Sequence, residues 1–271
     1  MSYILYHGNC WDGFGAAWAA KGALEGSSHI YVPVSYGQPI PNIPDNQNVY
    51  ILDFSYPADI LLNLAERSQD VVVLDHHASA QKDLAGLQHD RLYIEFDMTH
   101  SGAVLAWQYF LPDEPVTALL SYIEDRDLWL NKLPWSEAIH SYIQSYPRTF
   151  ENYDMLNEML NEENTHKQVI DFGLSILRFK NTKVTEICDQ AFTQEWDDYG
   201  DIPIVNTSCF MSEVANELLE RYPKAPFAAY YFDRPDDKVQ WGLRSRKDFD
   251  CSEVAKQHGG GGHKQASGFV I

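Results

Sequence analysis

Short apolar runs alternate with helical patterns along the N-terminal half of the chain. The clearest run is Val71 to Leu74, in which three β-branched residues precede a leucine, as is typical of a strand buried on both faces. The same reading predicts further strands at residues 2–6, 30–34 and 49–52, and helices at residues 16–20, 59–67, 101–110 and 115–127. Because strand, polar residue and helix follow one another three times, we expect a parallel sheet with right-handed crossovers.

The pattern changes after residue 150. Apolar residues at helical spacing predict helices over residues 150–160 and 164–192, and alternating strands and helices resume at residue 202. The later elements are predicted as strands at 202–205, 227–232, 239–244 and 267–271, and as helices at 212–222 and 251–257. We therefore predict an α/β protein with an N-terminal parallel-sheet domain (residues 1–150), a helical connector (151–193) and a smaller C-terminal α/β domain (194–271).

Composition narrows the class of protein. The chain has 271 residues, 45% of them hydrophobic, which is enough for a large core. A formal net charge of -19 disfavours a long duplex nucleic acid as partner. The four cysteines form no CxxC pair, and we see neither a signal peptide nor a run of membrane-spanning length. A soluble, cytoplasmic protein without a membrane partner is expected, and a homodimer is compatible with this composition.

The predicted N-terminal strands end in carboxylates and imidazoles. Asp75, His76 and His77 directly follow the clearest strand, and Asp53 follows its neighbour along the chain. The full candidate set is His7, Asp12, Asp53, Asp75, His76, His77 and either Asp125 or Asp127. Carboxylates with imidazoles suit manganese, magnesium, zinc or iron. Two such ions about 3.5–4 Å apart, sharing a carboxylate, would activate a water for attack on phosphorus.

The C-terminal region carries a second candidate site, of the kind that binds anions. Gly259 to Gly262 precede His263, between a predicted helix and the last strand, so backbone N–H groups and an imidazole are available to an anion. Arg244, Ser245 and Arg246 end a predicted strand and are candidates for holding a phosphate or a carboxylate.

Together these segments resemble the DHH phosphoesterase superfamily. The resemblance rests on Asp75-His76-His77, on residues 7–13, on Leu52-Asp53 and on residues 124–127, in the family's order. The glycine run with His263 and residues 266–269 resembles the associated C-terminal substrate-binding domain. The match spans nearly the whole chain, and the pairing of the two motifs is more specific than either alone.

The resemblance implies a phosphoric ester hydrolase with two divalent ions, usually manganese, in the N-terminal domain. By analogy, His7 and Asp53 hold one ion. The second is held by Asp12, Asp53, His76 and Asp125, with Asp127 left open as an alternative to Asp125. Asp53, Asp75, His76 and His77 would be catalytic, with Asp75 orienting a histidine and His77 facing the phosphate. Substrate binding would fall to Arg244, Ser245, Gly260, Gly261 and His263.

One position departs from the family pattern, which usually has two carboxylates in the first turn. Cys10 stands where the earlier carboxylate is expected, next to Asn9. Either residue is a candidate ligand, Cys10 as a soft sulfur donor and Asn9 as a weak oxygen donor. A third alternative is that the first ion binds loosely.

The resemblance also bears on the substrate. The glycine-rich tail points towards members that degrade short oligonucleotides, phosphoadenosine phosphate or cyclic dinucleotides, exonucleases among them. Since tracking a long strand needs a basic groove, the acidic chain favours a short single-stranded oligonucleotide or a dinucleotide. The rival hypotheses are an exopolyphosphatase or pyrophosphatase, and a nucleotide-binding protein with weakened catalysis.

Overall fold

The computed structural model describes residues 1–8, 10–24, 28–35, 37–196 and 199–271, and it confirms the α/β class. The chain divides into two units, Met1–Leu177 and Arg178–Ile271. The elements of the first unit are the strands β1 (Ser2–His7), β2 (His29–Val34), β3 (Asn48–Leu52), β4 (Asp70–Asp75) and β5 (Leu92–Phe96), and the helices α1 (Trp11–Ala23), α2 (Ala58–Arg67), α3 (Ala78–Asp83), α4 (Gly102–Phe110), α5 (Ala118–Asp127), α6 (Ser136–Gln144) and α7 (Phe150–Asn161). Helix α8 (Glu163–Cys188) begins in this unit.

The five strands of the first unit form one sheet in the order β2-β1-β3-β4-β5, and every neighbouring pair is parallel. Successive side chains of β4 point to opposite faces of the sheet, as the pleat requires. Val72 and Leu74 join the core that α1, α4 and α5 cover, whereas Val71 and Val73 join the core under α2. Both faces are therefore buried, which explains the continuous apolar run of this strand.

Helices α1 and α4 lie close together on one face of the sheet. A Cβ atom added at Gly15 would lie 2.9 Å from the Cβ of Ala103, and Ala16, Ala17, Ala19 and Ala20 are fully buried. Small residues on both helices thus allow their backbones to approach, and they bring the first turn of α1 next to the first turn of α4. This packing sets the position of Asp12.

The second unit contains a six-stranded sheet in the order β10-β11-β9-β8-β7-β6. Its elements are the end of α8, β6 (Phe192–Glu195), β7 (Asp201–Asn206), α9 (Met211–Arg221), β8 (Phe227–Asp233), β9 (Val239–Ser245), α10 (Cys251–Gln257), β10 (Gly261–His263) and β11 (Ala266–Val270). Only the β7–β8 pair is parallel. Helix α9 covers one face, through Val214 and Leu218, and α10 covers the other, through Val254.

The division of the chain differs from the predicted connector, residues 151–193. Tyr153 and Leu156 of α7 are fully buried in the core of the first unit, and Val184 of α8 is buried in the core of the second. The boundary therefore falls within α8, because amphipathic helices of this region belong to the two cores. The predicted helix over residues 164–192 ends at Cys188, and residues 192–195 form an edge strand instead.

Within the described residues, no helix combines the length and the apolar composition that crossing a membrane requires.

Candidate functional site

The polar residues at the strand ends meet at one edge of the first sheet. Strand β1 ends at His7, Asp53 follows β3, and β4 ends at Asp75, immediately before His76 and His77. Because β1, β3 and β4 are parallel neighbours, their carboxyl ends lie side by side. The convergence expected from the sequence is therefore present in the fold.

Asp53 lies at the centre of this group. Its backbone has φ of 62°, in the left-handed region that side chains other than glycine rarely adopt, and its N–H donates to the carbonyl of Leu74 at 2.9 Å. Oδ2 lies 3.3 Å from Nδ1 of His7, and Oδ1 lies 3.1 Å from Nε2 of His76. Strained backbone at such a position is common at functional sites. The carboxylate thus faces an imidazole on each side.

Two groups of ligand atoms share this edge. His7, Cys10 and Asp53 form one, and Asp12, His76 and Asp127 form the other, with the ligand atoms of each group within 4.8 Å of one another. Asp53 is 1% exposed. A buried carboxylate whose nearest partners are two imidazoles is well suited to a cation, which compensates its charge. These residues therefore fit divalent metal ions, with Asp53 between the two groups.

The pKa shifts in the cluster also indicate that it needs a cation. Burial, together with the charges of Asp53 and Asp127, holds the pKa of Asp12 well above its usual value. Burial, with the charge of Asp53, also raises the pKa of Asp127. Burial opposes the charging of His76, but its interaction with Asp53 and the nearby carboxylates raises its pKa to about 10. Asp12 and Asp53 are buried and Asp127 is partly exposed, and carboxylates crowded in this way are stabilised by added positive charge.

Backbone N–H groups at the start of α4 hold Asp12. Its Oδ2 accepts from the N–H of Gly102 at 2.6 Å, and its Oδ1 accepts from Ala103 at 3.0 Å. Glu124 binds the same turn, because its Oε2 accepts from the N–H of Ser101 at 2.9 Å. Negative side chains at a helix N-terminus are stabilised by its unpaired N–H groups and dipole. Sequence analysis missed Glu124, although it belongs to one of the motif segments.

Gly102 is required by this geometry. A Cβ atom at this position would lie 2.5 Å from the Cβ of Asp53 and 2.8 Å from its Oδ1. Gly13 is in a similar position, since its Cβ would lie 2.3 Å from the carbonyl oxygen of His7. Both glycines let helix backbone approach residues of the metal cluster.

Asp75 positions the histidines rather than facing the cluster with open oxygens. Its Oδ1 lies 2.6 Å from Nδ1 of His77 and accepts from the N–H groups of His76 and His77. Its Oδ2 accepts from the hydroxyl of Ser55 at 2.8 Å. Burial opposes ionisation, but the hydrogen bond and charge of His77 outweigh it and lower the pKa of Asp75. The expected orienting role of Asp75 is thus compatible with its contacts.

The structure places Asp127, and not Asp125, in the metal cluster. The Oδ2 of Asp127 lies 3.6 Å from Nε2 of His76. The carboxylate of Asp125 instead accepts hydrogen bonds from the N–H of Lys132 at 2.9 Å and from the hydroxyl of Ser136 at 2.5 Å. The assignment of Asp125 as a ligand is therefore wrong in this structure, because its oxygens hold the loop after α5.

The two aspartates are expected to behave oppositely when metal is removed. Since the fold raises the pKa of Asp127, its ionised form opposes folding at neutral pH, and Asp127→Asn should leave the free energy of unfolding in EDTA unchanged or higher. Asp125→Ala removes charge-assisted hydrogen bonds and should lower it by about 3 kcal/mol. Denaturant unfolding in EDTA measures both values. Equal stabilities of the two variants would contradict these assignments.

The remaining candidate ligands of the first turn have different outcomes. Cys10, which precedes α1, lies in the group with His7 and Asp53. Asn9 lies outside the described residues.

In the second unit, two of the predicted binding residues share one face of the sheet. Ala266 of β11 pairs with His263 of β10 on one side and with Arg244 of β9 on the other. Directly opposed residues of antiparallel strands point to the same face, so the small Ala266 separates the guanidinium and imidazole side chains. The half-buried Arg244 also donates from Nη2 to the hydroxyl of Ser212 at 2.8 Å. This row is a candidate anion-binding surface.

Ser245 and Gly260, also predicted to bind substrate, have structural roles. The buried Ser245 hydroxyl donates to the carbonyl of Phe249 at 2.7 Å. The N–H of Gly260 donates to the carbonyl of Ala255, and a Cβ there would lie 2.1 Å from the carbonyl oxygen of Gly268. These contacts stabilise the end of β9 and the turn before β10, and substrate binding by the two residues stays a prediction. Gly261 differs, since no atom lies within 4 Å of a Cβ added there.

The chain is similar to one known domain family and to one viral protein. The model of the DHHA1 domain matches residues 209–271. "Uncharacterized protein R106" of Acanthamoeba polyphaga mimivirus is 32% identical over 290 residues, covering 100% of this chain and 68% of the viral protein. The identity and the coverage are high enough to place both proteins in one family.

Solved structures share the fold. A DHH domain from a protein described as a member of a family of ribosomal proteins aligns with a TM-score of 0.58 at 12% identity, covering 99% of this chain and 82% of that one. RecJ from Thermus thermophilus in complex with Mn²⁺ aligns with a TM-score of 0.53 at 13% identity, covering 100% of this chain and 49% of RecJ. The chain therefore belongs to one family with the mimivirus protein, its residues 209–271 match the DHHA1 domain, and its fold is that of a solved DHH domain.

Proposed function

We propose that this protein is a metal-dependent phosphoesterase that hydrolyses short oligonucleotides or small nucleotides. The observation that carries the proposal is the Asp53 carboxylate, which lies between His7 at 3.3 Å and His76 at 3.1 Å. A carboxylate flanked by imidazoles can hold divalent ions, and a pair of such ions would supply hydrolysis at phosphorus. The resemblance of the chain to the DHH phosphoesterases supports phosphoric ester hydrolysis as the reaction class.

Two divalent ions would be held by the two ligand groups, with Mn²⁺ as the first candidate and Mg²⁺ as the second for the group of Asp12, His76 and Asp127. His7, Cys10 and Asp53 would hold one ion, and Asp12, His76 and Asp127 the other, with Oδ1 of Asp53 lying 3.1 Å from Nε2 of His76. The chemistry supplied by such ions is the activation of water and the neutralisation of charge on the phosphoryl group.

The chain's own residues prepare this reaction. Asp75 binds Nδ1 of His77 at 2.6 Å and therefore fixes the orientation of the ring and keeps the Nδ1 proton. Reaction chemistry at His77 is then confined to Nε2, which can hold a proton for a phosphoryl or departing oxygen. Gly102 and Ala103 fix Asp12 through their N–H groups, so that the carboxylate does not need to reorganise when charge develops.

Positive charge in the second unit supports a small anionic substrate. Arg244 and His263 lie on either side of Ala266, where a guanidinium and an imidazole can bind a phosphate or a terminal nucleotide. The net charge of -19 opposes long nucleic acids, whereas a few nucleotides need only local positive charge. We therefore infer a dinucleotide, a 3'-phosphoadenosine phosphate or a short single strand as substrate class.

A substrate panel with Mn²⁺ tests the proposal. We expect turnover of a diadenylate or of phosphoadenosine phosphate, and at least about 10-fold slower turnover of long single-stranded DNA, of polyphosphate and of pyrophosphate. Hydrolysis of polyphosphate or pyrophosphate alone would overturn the nucleotide assignment in favour of that rival. Binding of nucleotides without any turnover would favour the binding protein instead.

Arg244 offers a second test of the same substrate class. Arg244→Gln should raise KM for a dinucleotide at least about 10-fold with a smaller change in kcat, because it removes a charge-assisted contact to phosphate. Arg234→Gln is the matched control, since Arg234 lies in an exposed turn and pairs with Asp236. Equal KM values for the two variants would contradict the role of Arg244.

A further inference from the structure

The metal cluster is chemically asymmetric. The group of Asp12, His76 and Asp127 offers two carboxylates and one imidazole. The group of His7, Cys10 and Asp53 offers one carboxylate, one imidazole and a sulfur. Oxygen-rich sets suit Mg²⁺ and Mn²⁺, whereas a thiolate selects softer ions, of which Zn²⁺ is the common biological case.

The position of Cys10 is set by the fold. It lies between the end of β1 at His7 and the start of α1 at Trp11, and the N–H of Phe14 donates to its carbonyl at 3.2 Å. This hydrogen bond belongs to the first turn of α1, and Cys10 is the N-cap residue of that helix. Its sulfur and one ligand atom each of His7 and Asp53 lie within 4.8 Å of one another.

Asp53 supplies an independent indication that this sulfur faces a cation site. The carboxylate is 1% exposed, its Oδ2 lies 3.3 Å from Nδ1 of His7, and its Oδ1 lies 3.1 Å from Nε2 of His76. A sulfur placed only for packing would not need a buried carboxylate and an imidazole with ligand atoms within 4.8 Å of it.

We propose that Cys10, with His7 and Asp53, forms a site that prefers a thiophilic divalent ion such as Zn²⁺ over Mn²⁺, next to a harder site at Asp12, His76 and Asp127. This inference rests on the proposed function only for the use of the metal, since the ligand set itself defines the preference. Binding of the ion to the sulfur releases the thiol proton to the solvent.

A titration of the metal-free full chain with Co²⁺, a spectroscopic substitute for Zn²⁺, tests the ligand. We expect an ultraviolet thiolate-to-cobalt charge-transfer band in the wild type and its loss in Cys10→Ser and Cys10→Asp. Cys209→Ser is the matched control, because Cys209 is exposed and belongs to the second unit, and it should keep the band. Absence of the band in the wild type, or its persistence in Cys10→Ser, would overturn the proposal.

Competition between Zn²⁺ and Mn²⁺ tests the preference. Cys10→Asp should weaken Zn²⁺ binding at least about 100-fold, more than the loss typical of outer contacts, and should shift the preference towards Mn²⁺. If Cys10→Asp leaves the ratio of the Zn²⁺ and Mn²⁺ affinities unchanged, the proposed preference is overturned. The outcomes separate the two proposals: a cobalt–thiolate band without hydrolysis of any phosphoester supports the soft site and removes the proposed function, whereas hydrolysis without the band does the reverse.

Discussion

Asp53→Asn is expected to abolish metal-dependent hydrolysis, with a loss in kcat of at least about 10³-fold. The loss should exceed the 10- to 100-fold typical of outer contacts, because one carboxylate faces both ligand groups and the amide cannot replace its charge. The substitution keeps the shape of the side chain, so the fold should survive. Steady-state kinetics with Mn²⁺ on the nucleotide panel measures the effect.

Thermal unfolding separates this loss from misfolding. In the wild type, an ion that binds only the folded state should raise Tm as its concentration rises, and Asp53→Asn should remove most of that rise. The control is Asp113→Asn, which changes an exposed carboxylate outside the helices and strands and should retain both turnover and the metal-dependent Tm. Turnover by Asp53→Asn within about tenfold of the wild type would refute the shared-carboxylate mechanism.

The central sheet and the general place of the site could be predicted from sequence because both depend on local patterns. The run at residues 71–74 is apolar on both faces, and parallel strands bring their carboxyl ends to one edge. Strand β5 was not predicted. Its residues are half-buried or exposed at the sheet edge, and Glu95 interrupts the apolar pattern, so no hydrophobic period marks it.

The helix α6 was also not predicted, for a conformational reason. It begins after Trp135, which has φ of 59° and offers no side-chain cap, so the sequence lacks the usual start signal. Its neighbouring loop is held by Asp125, through Lys132 and Ser136. Helix start and loop are thus set by tertiary hydrogen bonds rather than by local propensity.

The choice between Asp125 and Asp127 needed the structure. Both lie in the last turn of α5, two residues apart, and both are carboxylates, so composition and spacing treat them alike. What separates them is the loop that follows, because its N–H groups bind one carboxylate and leave the other facing His76. The same holds for Glu124, whose role depends on the start of α4 lying next to it.

Gly102 begins α4 and lies directly against Asp53. Gly102→Ala should therefore damage the metal site directly. The added Cβ would meet the Cβ of Asp53 at 2.5 Å, closer than real Cβ contacts, so either the carboxylate or the start of α4 must move. A shift of about 1 Å costs about 10²-fold in rate, and overpacking costs about 1–3 kcal/mol of stability.

The measurement is kcat with Mn²⁺ together with the free energy of unfolding in EDTA, so that lost activity can be expressed per folded molecule. Gly22→Ala is the matched control, because it makes the same change in α1 with Leu111 no nearer than 4.0 Å. It should raise stability by up to about 1 kcal/mol and leave kcat unchanged, since alanine is the better helix former.

The same substitution, glycine to alanine, is thus expected to lower the free energy of unfolding at position 102 and to raise it at position 22. Movement of α4 by Gly102→Ala would also displace the N–H groups that hold Asp12, so both ligand groups should weaken together. A Gly102→Ala variant with wild-type kcat and an unchanged metal-dependent rise in Tm would show that Asp53 has room to retreat. In that case the start of α4 would not set the geometry of the site, and the close approach would be a matter of packing alone.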